Sequence, residues 1–540
     1  MATYKTAKPK FWREHLTDLA PLKNNLQQAD SAIHKAAKKA GKKAAKAAAK
    51  KPKKAALLAA TITAAKAVAK NATRNMTEYR EGSVSAVLFP TTVEQLAEIV
   101  HIANTHRVQL FPVSTGKNWG LGSQMPATGT ATVVNLTQMN KVLEVNERWR
   151  YAVIEPGVTQ GQLYQYLTKH HPTLMLPPTG SARATSVVGN VLDRGASIRG
   201  HRYDHMKGVE VVLGSGQVVR TGNWHFPEVE VQKVPLQYYP AGLGPDITGL
   251  FSQSNLGIVT KMVVSLVPRK PEMVFSLVFD SKHLEQLGES VFELTESGIL
   301  DAGCLITNLK DPRTRYGAGE YGQKWLAAAR IKTASLAPEA SEAVLRDHFG
   351  ELGALQFWST EEEYSDEEVP TPYVKVLLRM HKGEPTDHSM ITLYQLSGIP
   401  YKDQVNIDVD PEVMGFVCAL PAVPLSGPYF QRIIDCVMEV SKRLEIDPYF
   451  NFLTFSAHSC EGFFRVFFDR NDKKMVERVH RWNRESHEAL QAIGIYPYRG
   501  NIRDLPGSYH EKDTYWQTIK DLKGVMDPNN ILAPGKYAPA

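Results

Sequence analysis

The stretch Val113 to Gly122, VSTGKNWGLG, concentrates the residue types that let a backbone do chemistry. Gly116, Gly120 and Gly122 let the chain turn sharply and approach a ligand closely. Successive N–H groups in such a turn form an anion-binding nest suited to a pyrophosphate. An ordinary surface turn draws on the same residues, so the loop alone leaves both readings open. Two later segments repeat its logic. Leu176 to Asn190, LPPTGSARATSVVGN, is built from small and hydroxyl residues and leads into Asp193-Arg194-Gly195. Gly249 to Thr260, GLFSQSNLGIVT, is the other. Near the C-terminus Tyr498 and Arg499 stand side by side before Gly500. A phenol O–H beside a permanently charged guanidinium can stabilise an oxyanion; a surface turn accounts for the pair equally.

Other reactive side chains are more ambiguous. His458 follows the β-like run Tyr449 to Phe455 and suits a general base or a structural histidine. Tyr203-Asp204-His205 offers too few ligands for a metal site, and no metal is expected. Cys418 and Cys460 are candidates to face a pocket, although buried cysteines usually act as small apolar residues.

These residues need elements to position them, and from residue 75 the pattern alternates strand and helix. Ala86 to Pro90 and Val108 to Pro112 read as strands. Between them, Thr92 to Thr105 has helical apolar spacing, with Thr91 or Thr92 as its N-cap. Tyr151 to Glu155, Val209 to Leu213 and Gln217 to Arg220 read as further strands. From about 270 to 500 strands alternate with amphipathic helices such as Glu339 to Phe349 and Tyr429 to Leu444, which reads as a second domain. The absence of GxGxxG after the first strand disfavours a nicotinamide domain.

At 540 residues the chain has room for two or three domains. Its 43% hydrophobic and 22% charged content is that of a soluble globular protein. No apolar run of about 18 residues suggests a transmembrane helix, and the N-terminus lacks the apolar region of a secretory signal. The four cysteines show no CxxC spacing. A cytoplasmic location is the expectation. The net charge of +7 is local: Lys35 to Lys70 holds twelve lysines and no acid, so the remainder sits near −5. This alanine- and lysine-rich segment favours helix, broken at Gly41 and Pro52 into two pieces. It reads as a solvated tail or as an attachment to an anionic partner.

The ordered motifs PVSTGKNWGLGS, PPTGSARATSVVGNVLDRG, GPDITGLFSQSNLGIVTK, YPYRG and DPNNILAPGK resemble the vanillyl alcohol oxidase / p-cresol methylhydroxylase flavoproteins. The resemblance covers roughly residues 75 to 540. It implies an α+β fold: a two-part FAD-binding domain at 75–268 and 500–540, with an α/β cap at 269–499 over the flavin. An N-terminal segment, 1–30, and the basic extension, 31–74, precede them. The resemblance implies that backbone N–H groups of Ser114, Thr115, Gly116, Lys117 and Asn118 hold the pyrophosphate, with Gly122 in the same loop. Thr179, Gly180, Ser181, Ser186, Gly189 and Asn190 would line the flavin; Gly257, Ile258 and Val259 would lie near the adenosine half. Tyr498 and Arg499 would bind a substrate phenolate, with His458 at the pocket border.

Three positions depart from the family pattern. Leu121 stands where the phenol oxidases have a second tyrosine. Ser181 stands where the oxidase branch has a catalytic aspartate. Phe416 stands at the flavin-attachment position and carries no nucleophile, so FAD is expected to be held without a covalent bond. The resemblance implies hydride removal from a para-substituted phenol or related aromatic alcohol, with O2 or a cytochrome-like carrier as acceptor, in a homo-oligomer. Two alternatives stay open: a non-phenolic hydroxy compound or specialised metabolite as substrate, and a basic-tail binding protein with a vestigial flavin site.

Overall fold

The computed structural model describes residues 72–310, 324–402, 407–411, 413–505, 509 and 512–539. The 1–30 segment and residues 31–71 of the lysine-rich extension lie outside the described residues, and with them its two expected helices.

The chain begins with a parallel unit. Strand β1 (Ser83–Leu88), helix α1 (Val93–His106) and strands β2 (Leu110–Val113) and β3 (Thr130–Asn135) form a three-stranded sheet ordered β1-β3-β2. Thr92 caps α1 by accepting from the Gln95 N–H at 3.2 Å. β1 lies earlier than its apolar run suggested and stops before Pro90, which has no N–H for the ladder. β2 starts two residues late because Arg107 closes α1 in the left-handed region, φ 55°. Leu96, Ile99, Val100 and Ala103 bury one face of α1 against the sheet.

An antiparallel sheet follows: β4 (Val142–Asn146), β5 (Tyr151–Ile154), β6 (Met206–Leu213), β7 (Val218–Arg220) and β8 (Gly257–Ser265), ordered β7-β6-β8-β5-β4. Helix α2 (Gln160–His170) and the short helix α3 (Val187–Leu192) pack on it through Leu163, Leu167, Val187 and Val191.

Beyond Pro268 a second, seven-stranded antiparallel sheet takes over. It contains β9 (Met273–Asp280), β10 (Leu305–Asn308), β11 (Lys324–Arg330), β12 (Gly353–Ser359), β14 (Ala422–Pro424), β15 (Asn451–Thr454) and β16 (Ser459–Gly462). Their order is β12-β9-β11-β10-β15-β16-β14. Strand β13 (Gly415–Ala419) pairs instead with β17 (Phe464–Phe468). Helices of this half include α4 (Leu284–Glu296), α5 (Pro338–Phe349), α6 (Pro372–His381), α7 (His388–Leu396), α8 (Gly427–Arg443) and α9 (Lys473–Ala492). Phe275, Leu287, Phe430, Val437, Phe452, Val479 and Trp482 share one core. After α10 (Thr514–Met526) the chain returns to β2, where the Leu110 N–H donates to Ile531 and the Ala533 N–H to Leu110, both at 2.7 Å. The first sheet region is therefore built from two separated parts of the sequence, and the protein has an α+β architecture in which a second α/β half is inserted between them.

Candidate active site

Between these halves lies one large cavity, and its walls contain most of the residues singled out by sequence. The loop after β2 forms one wall. Gly116, Gly120 and Gly122 all adopt positive φ, at 69°, 80° and 111°. Among the described residues no acceptor engages the backbone N–H groups of Thr115, Gly116, Lys117 and Asn118. A Cβ on Gly180 would meet nothing within 4 Å. An unfilled row of donors beside open space fits the pyrophosphate and ring of FAD.

The loop's side chains face elsewhere. The Lys117 ammonium donates to the Ile407 carbonyl at 2.5 Å and lies 3.9 Å from Asp408. The Ser186 hydroxyl is committed too: it caps α3 by accepting from the Gly189 N–H at 2.9 Å and donates to the Pro156 carbonyl. The Ser186 N–H donates to Thr115 Oγ1 at 3.1 Å, joining two loops of the cavity wall. Thr179 and Ser181 share a 2.6 Å hydroxyl contact, and Gln160 donates to both. Behind them Arg202 is fully buried and donates to the Pro177 carbonyl at 2.6 Å and to Gln160. Neither Gln160 nor Arg202 stood out by sequence, because their role is visible only through the loop they brace.

Asn190, Gly257, Ile258 and Val259 complete this wall. Gly122 does not reach it: a Cβ there would meet Ile502 at 2.6 Å, so this glycine serves packing rather than cofactor contact.

A second set of cavity residues, adjoining Asn118, carries side-chain chemistry. Arg499 Nη2 pairs with Asp193 and donates to Asn118 Oδ1 at 2.9 Å. Tyr537 donates its hydroxyl to the other Asp193 oxygen. Burial alone would lower the Arg499 pKa, but Asp193 and Tyr537 overcome it and hold the guanidinium charged. Its Nε has no partner. Tyr498 stands beside it, edge-on to Phe455 at 5.6 Å, with its carbonyl taken by Gln253 Nε2 at 2.7 Å. Glu461 on β16 faces the same cavity, as do Lys536 and Arg465. Burial pushes the Glu461 carboxyl up to about 8, with Arg499 opposing. Asp193 and Tyr537 had a sequence signal in their glycine-rich surroundings; Glu461, within an ordinary strand, had none.

Leu121 and Phe416 are buried in one apolar cluster with Cys418, Leu393 and Met390. The Phe416 ring occupies the space a Gly120 Cβ would need, at 2.4 Å, and stacks on Phe467. Cys418 lines the cavity as a thiol, pushed up to about 12 by burial. His458 is not brought to the site. It sits exposed in the turn before β16, 6.2 Å from the Phe292 ring, because the strand it follows ends at Thr454 and the chain turns away. His205 binds the Ser265 carbonyl at 2.9 Å, and among the described residues no cluster of three metal-ligating side chains occurs.

Comparison with known proteins agrees with this geometry. Residues 84–222 match the FAD binding domain model FAD_binding_4. The chain is 30% identical to 1'-carboxy-chondrochloren decarboxylase of Chondromyces crocatus, over 84% of this chain and 90% of that one. It is 25% identical to the 4-cresol dehydrogenase [hydroxylating] flavoprotein subunit of Pseudomonas putida, over 84% and 87%. The fold matches 4-ethylphenol oxidase from Gulosibacter chungangensis with TM-score 0.76 and 24% identity, covering 87% of this chain and 93% of that one. It matches p-cresol methylhydroxylase with TM-score 0.76 and 23% identity, covering 88% and 93%. The chain is an FAD-dependent oxidoreductase and belongs to the vanillyl alcohol oxidase / p-cresol methylhydroxylase family.

Proposed function

We propose that the enzyme removes a hydride from the benzylic carbon of a para-substituted phenol or related aromatic alcohol. The observation that carries this reading is Arg499: a buried, charged guanidinium held by Asp193 and Asn118, with Nε unpartnered beside Tyr498. Such a pair favours a phenolate over a phenol, and a phenolate releases a benzylic hydride more readily. FAD, when bound, supplies the two-electron acceptor. Ser114 to Asn118 would hold its pyrophosphate, Thr179 to Asn190 its ring, and Gly257 to Val259 its adenosine half. Arg499 and Tyr498 orient the substrate oxygen. Leu121 and Phe416 exclude water from the ring face. O2 or a cytochrome-like protein would collect the electrons.

The FAD is proposed to be non-covalent, since Phe416 offers no atom to form a bond; flavin that stays with the denatured polypeptide would sink this. The domain limits proposed are 75–268 and 500–540 for the FAD-binding part and 269–499 for the cap. Reduction of the enzyme under nitrogen by a panel of para-substituted phenols tests the substrate reading. Absence of bleaching with every phenol overturns it.

Leu121 favours a second reading. It makes apolar one position where family phenol oxidases carry tyrosine, which suits a non-phenolic hydroxy compound or a specialised metabolite. Since the 30% identical relative is named a decarboxylase, the panel should include aryl substrates with a carboxylate next to the oxidised carbon. For residues 31–74 an anionic partner is proposed; deletion that abolishes salt-sensitive binding and spares turnover would support it.

A further inference from the structure

Two buried polar atoms in the cavity are left without partners, and they are complementary. Arg499 Nε is a donor with no acceptor. Glu461 Oε2 is an acceptor with no donor. Each orphan has a desolvation cost of about 1–3 kcal/mol unless something answers it. Both residues line the same cavity, yet among the described residues no ion pair within 4 Å joins them. The two side chains feel each other's charge, and a hydroxyl bound between them would suit both groups: its oxygen accepts from the guanidinium and its hydrogen donates to the carboxylate.

We propose that Glu461 is the base that takes the hydroxyl proton of the substrate while Arg499 receives the oxyanion. The inference rests on the phenol reading above. The O–H bond breaks, the proton moves to the Glu461 carboxylate, and the electron pair stays on the oxygen facing Arg499. The hydride then leaves the benzylic carbon for FAD, the oxidant the family supplies.

The surroundings suit this role. Glu461 is held in the middle of paired strands, in register with Ala422 on one side and Leu453 on the other. This fixes the carboxyl as a pre-positioned group. The titratable and charged groups around it are few: Arg499, Arg465 at the cavity wall, and the thiols of Cys418 and Cys460. Both thiols are raised by burial and stay neutral, so the opposing influence on the carboxyl is Arg499. A carboxyl raised to about 8 takes a phenol's proton more readily than an ordinary one. The base must be ionised, so the rate of reduction should rise with pH as this carboxyl titrates.

The test compares the FAD-loaded wild type with Glu461→Gln. The first readout is binding of 4-hydroxybenzaldehyde, whose para carbonyl leaves it a phenolate at about pH 9. A phenolate cannot sit beside an ionised Glu461, so the wild type should take up close to one proton per probe bound, read with an indicator dye in weak buffer. Glu461→Gln should take up none. The second readout is anaerobic reduction by a 4-alkylphenol, expected to slow about 10²-fold at pH 8 and to shift its pH dependence up toward the phenol's own pKa. Equal proton uptake and an unshifted pH profile in the two enzymes overturn the role of Glu461. Failure of the wild type to bind the probe overturns the phenol reading itself, and this inference with it. If Glu461→Gln does not fold, Glu461→Asp replaces it: uptake should persist while reduction slows, and unchanged reduction counts against the proposal.

Discussion

The two ends of the cavity are built on opposite principles. At the proposed cofactor end the groups on offer are backbone N–H donors, presented by a loop whose glycines adopt positive φ. Side chains there look away: Lys117 reaches Ile407, and Ser186 caps a helix. At the substrate end the chemistry is all side chain. Asn118, Asp193, Glu461, Arg499 and Tyr537 converge from five separate stretches. A backbone site tolerates changes of side chain and fails when a Cβ is added. A side-chain site does the reverse. The two ends should therefore be separable by mutation.

The largest effect is expected at the substrate end. Arg499→Ala leaves the half-buried Asp193 without its cation and removes the donor for the substrate oxygen. We expect kcat/KM for phenols to fall about 10³-fold while the FAD spectrum and stoichiometry stay near wild type. Loss of FAD in this variant would break the separation.

The reciprocal change is Gly116→Val. It places a β-branched residue at φ 69° and drives its Cβ to within 2.5 Å of the Gln124 side chain. Strain of about 1–3 kcal/mol corresponds to roughly fivefold to 150-fold weaker FAD binding, measurable by fluorescence titration of the apoenzyme. The fraction that does retain FAD should keep a normal KM for phenol. A raised KM in that fraction would show the two ends to be coupled.

The contrast also explains what could be read from the sequence. Backbone sites leave contiguous marks, so VSTGKNWGLG and PPTGSARATSVVGN are legible as loops, and both line the cavity. Helices with apolar spacing were legible as well: α5 matches its expected span to one residue, and α8 starts only two residues early, at a Pro-containing first turn. Convergent side chains leave no such mark. Glu461 lies in a four-residue strand with no periodic signal, and only the folded chain brings it to the same cavity as Arg499. His458 misled for the same reason: three residues from Glu461 along the chain, it falls in the exposed turn rather than the strand. Gly122 looked like its neighbours in the loop, but Ile502, nearly four hundred residues away in sequence, decides its role.

A smaller effect sharpens the substrate side. Leu121 is buried against Phe416 and Met390, so Leu121→Tyr adds a hydroxyl to that wall. If the substrate is a phenol, a second O–H near its oxygen should lower KM about threefold to tenfold, the worth of one hydrogen bond. If the substrate is a non-phenolic hydroxy compound, the bulkier ring should raise KM instead. Steady-state kinetics on the two substrate classes separates these outcomes.

The smallest effect probes a place where a buried carboxylate ties down the back of this loop. Asp410 Oδ1 accepts from the Ser123 hydroxyl at 2.9 Å and the Met76 N–H at 2.8 Å, tying the back of the loop to residues 407–411. Burial, reinforced by Asp408, pushes this carboxyl up to about 7, against an ordinary value near 4 in the unfolded chain. Between those two values the folded protein binds a proton that the unfolded chain has released. Stability linked to Asp410 is therefore fully present at acidic pH and is lost as pH rises through about 7. Asp410→Asn keeps an oxygen for both donors and cannot ionise. At pH 8 its melting temperature should exceed the wild type by about 2–4 °C, and the difference should vanish near pH 4. Its FAD affinity should be unchanged, because the N–H groups of Thr115 to Asn118 hold their places through backbone torsions rather than through this carboxylate's charge. A variant less stable than wild type at pH 8, or one that sheds FAD, would show that the loop depends on the ionised Asp410 and that the cofactor end is not a purely backbone site.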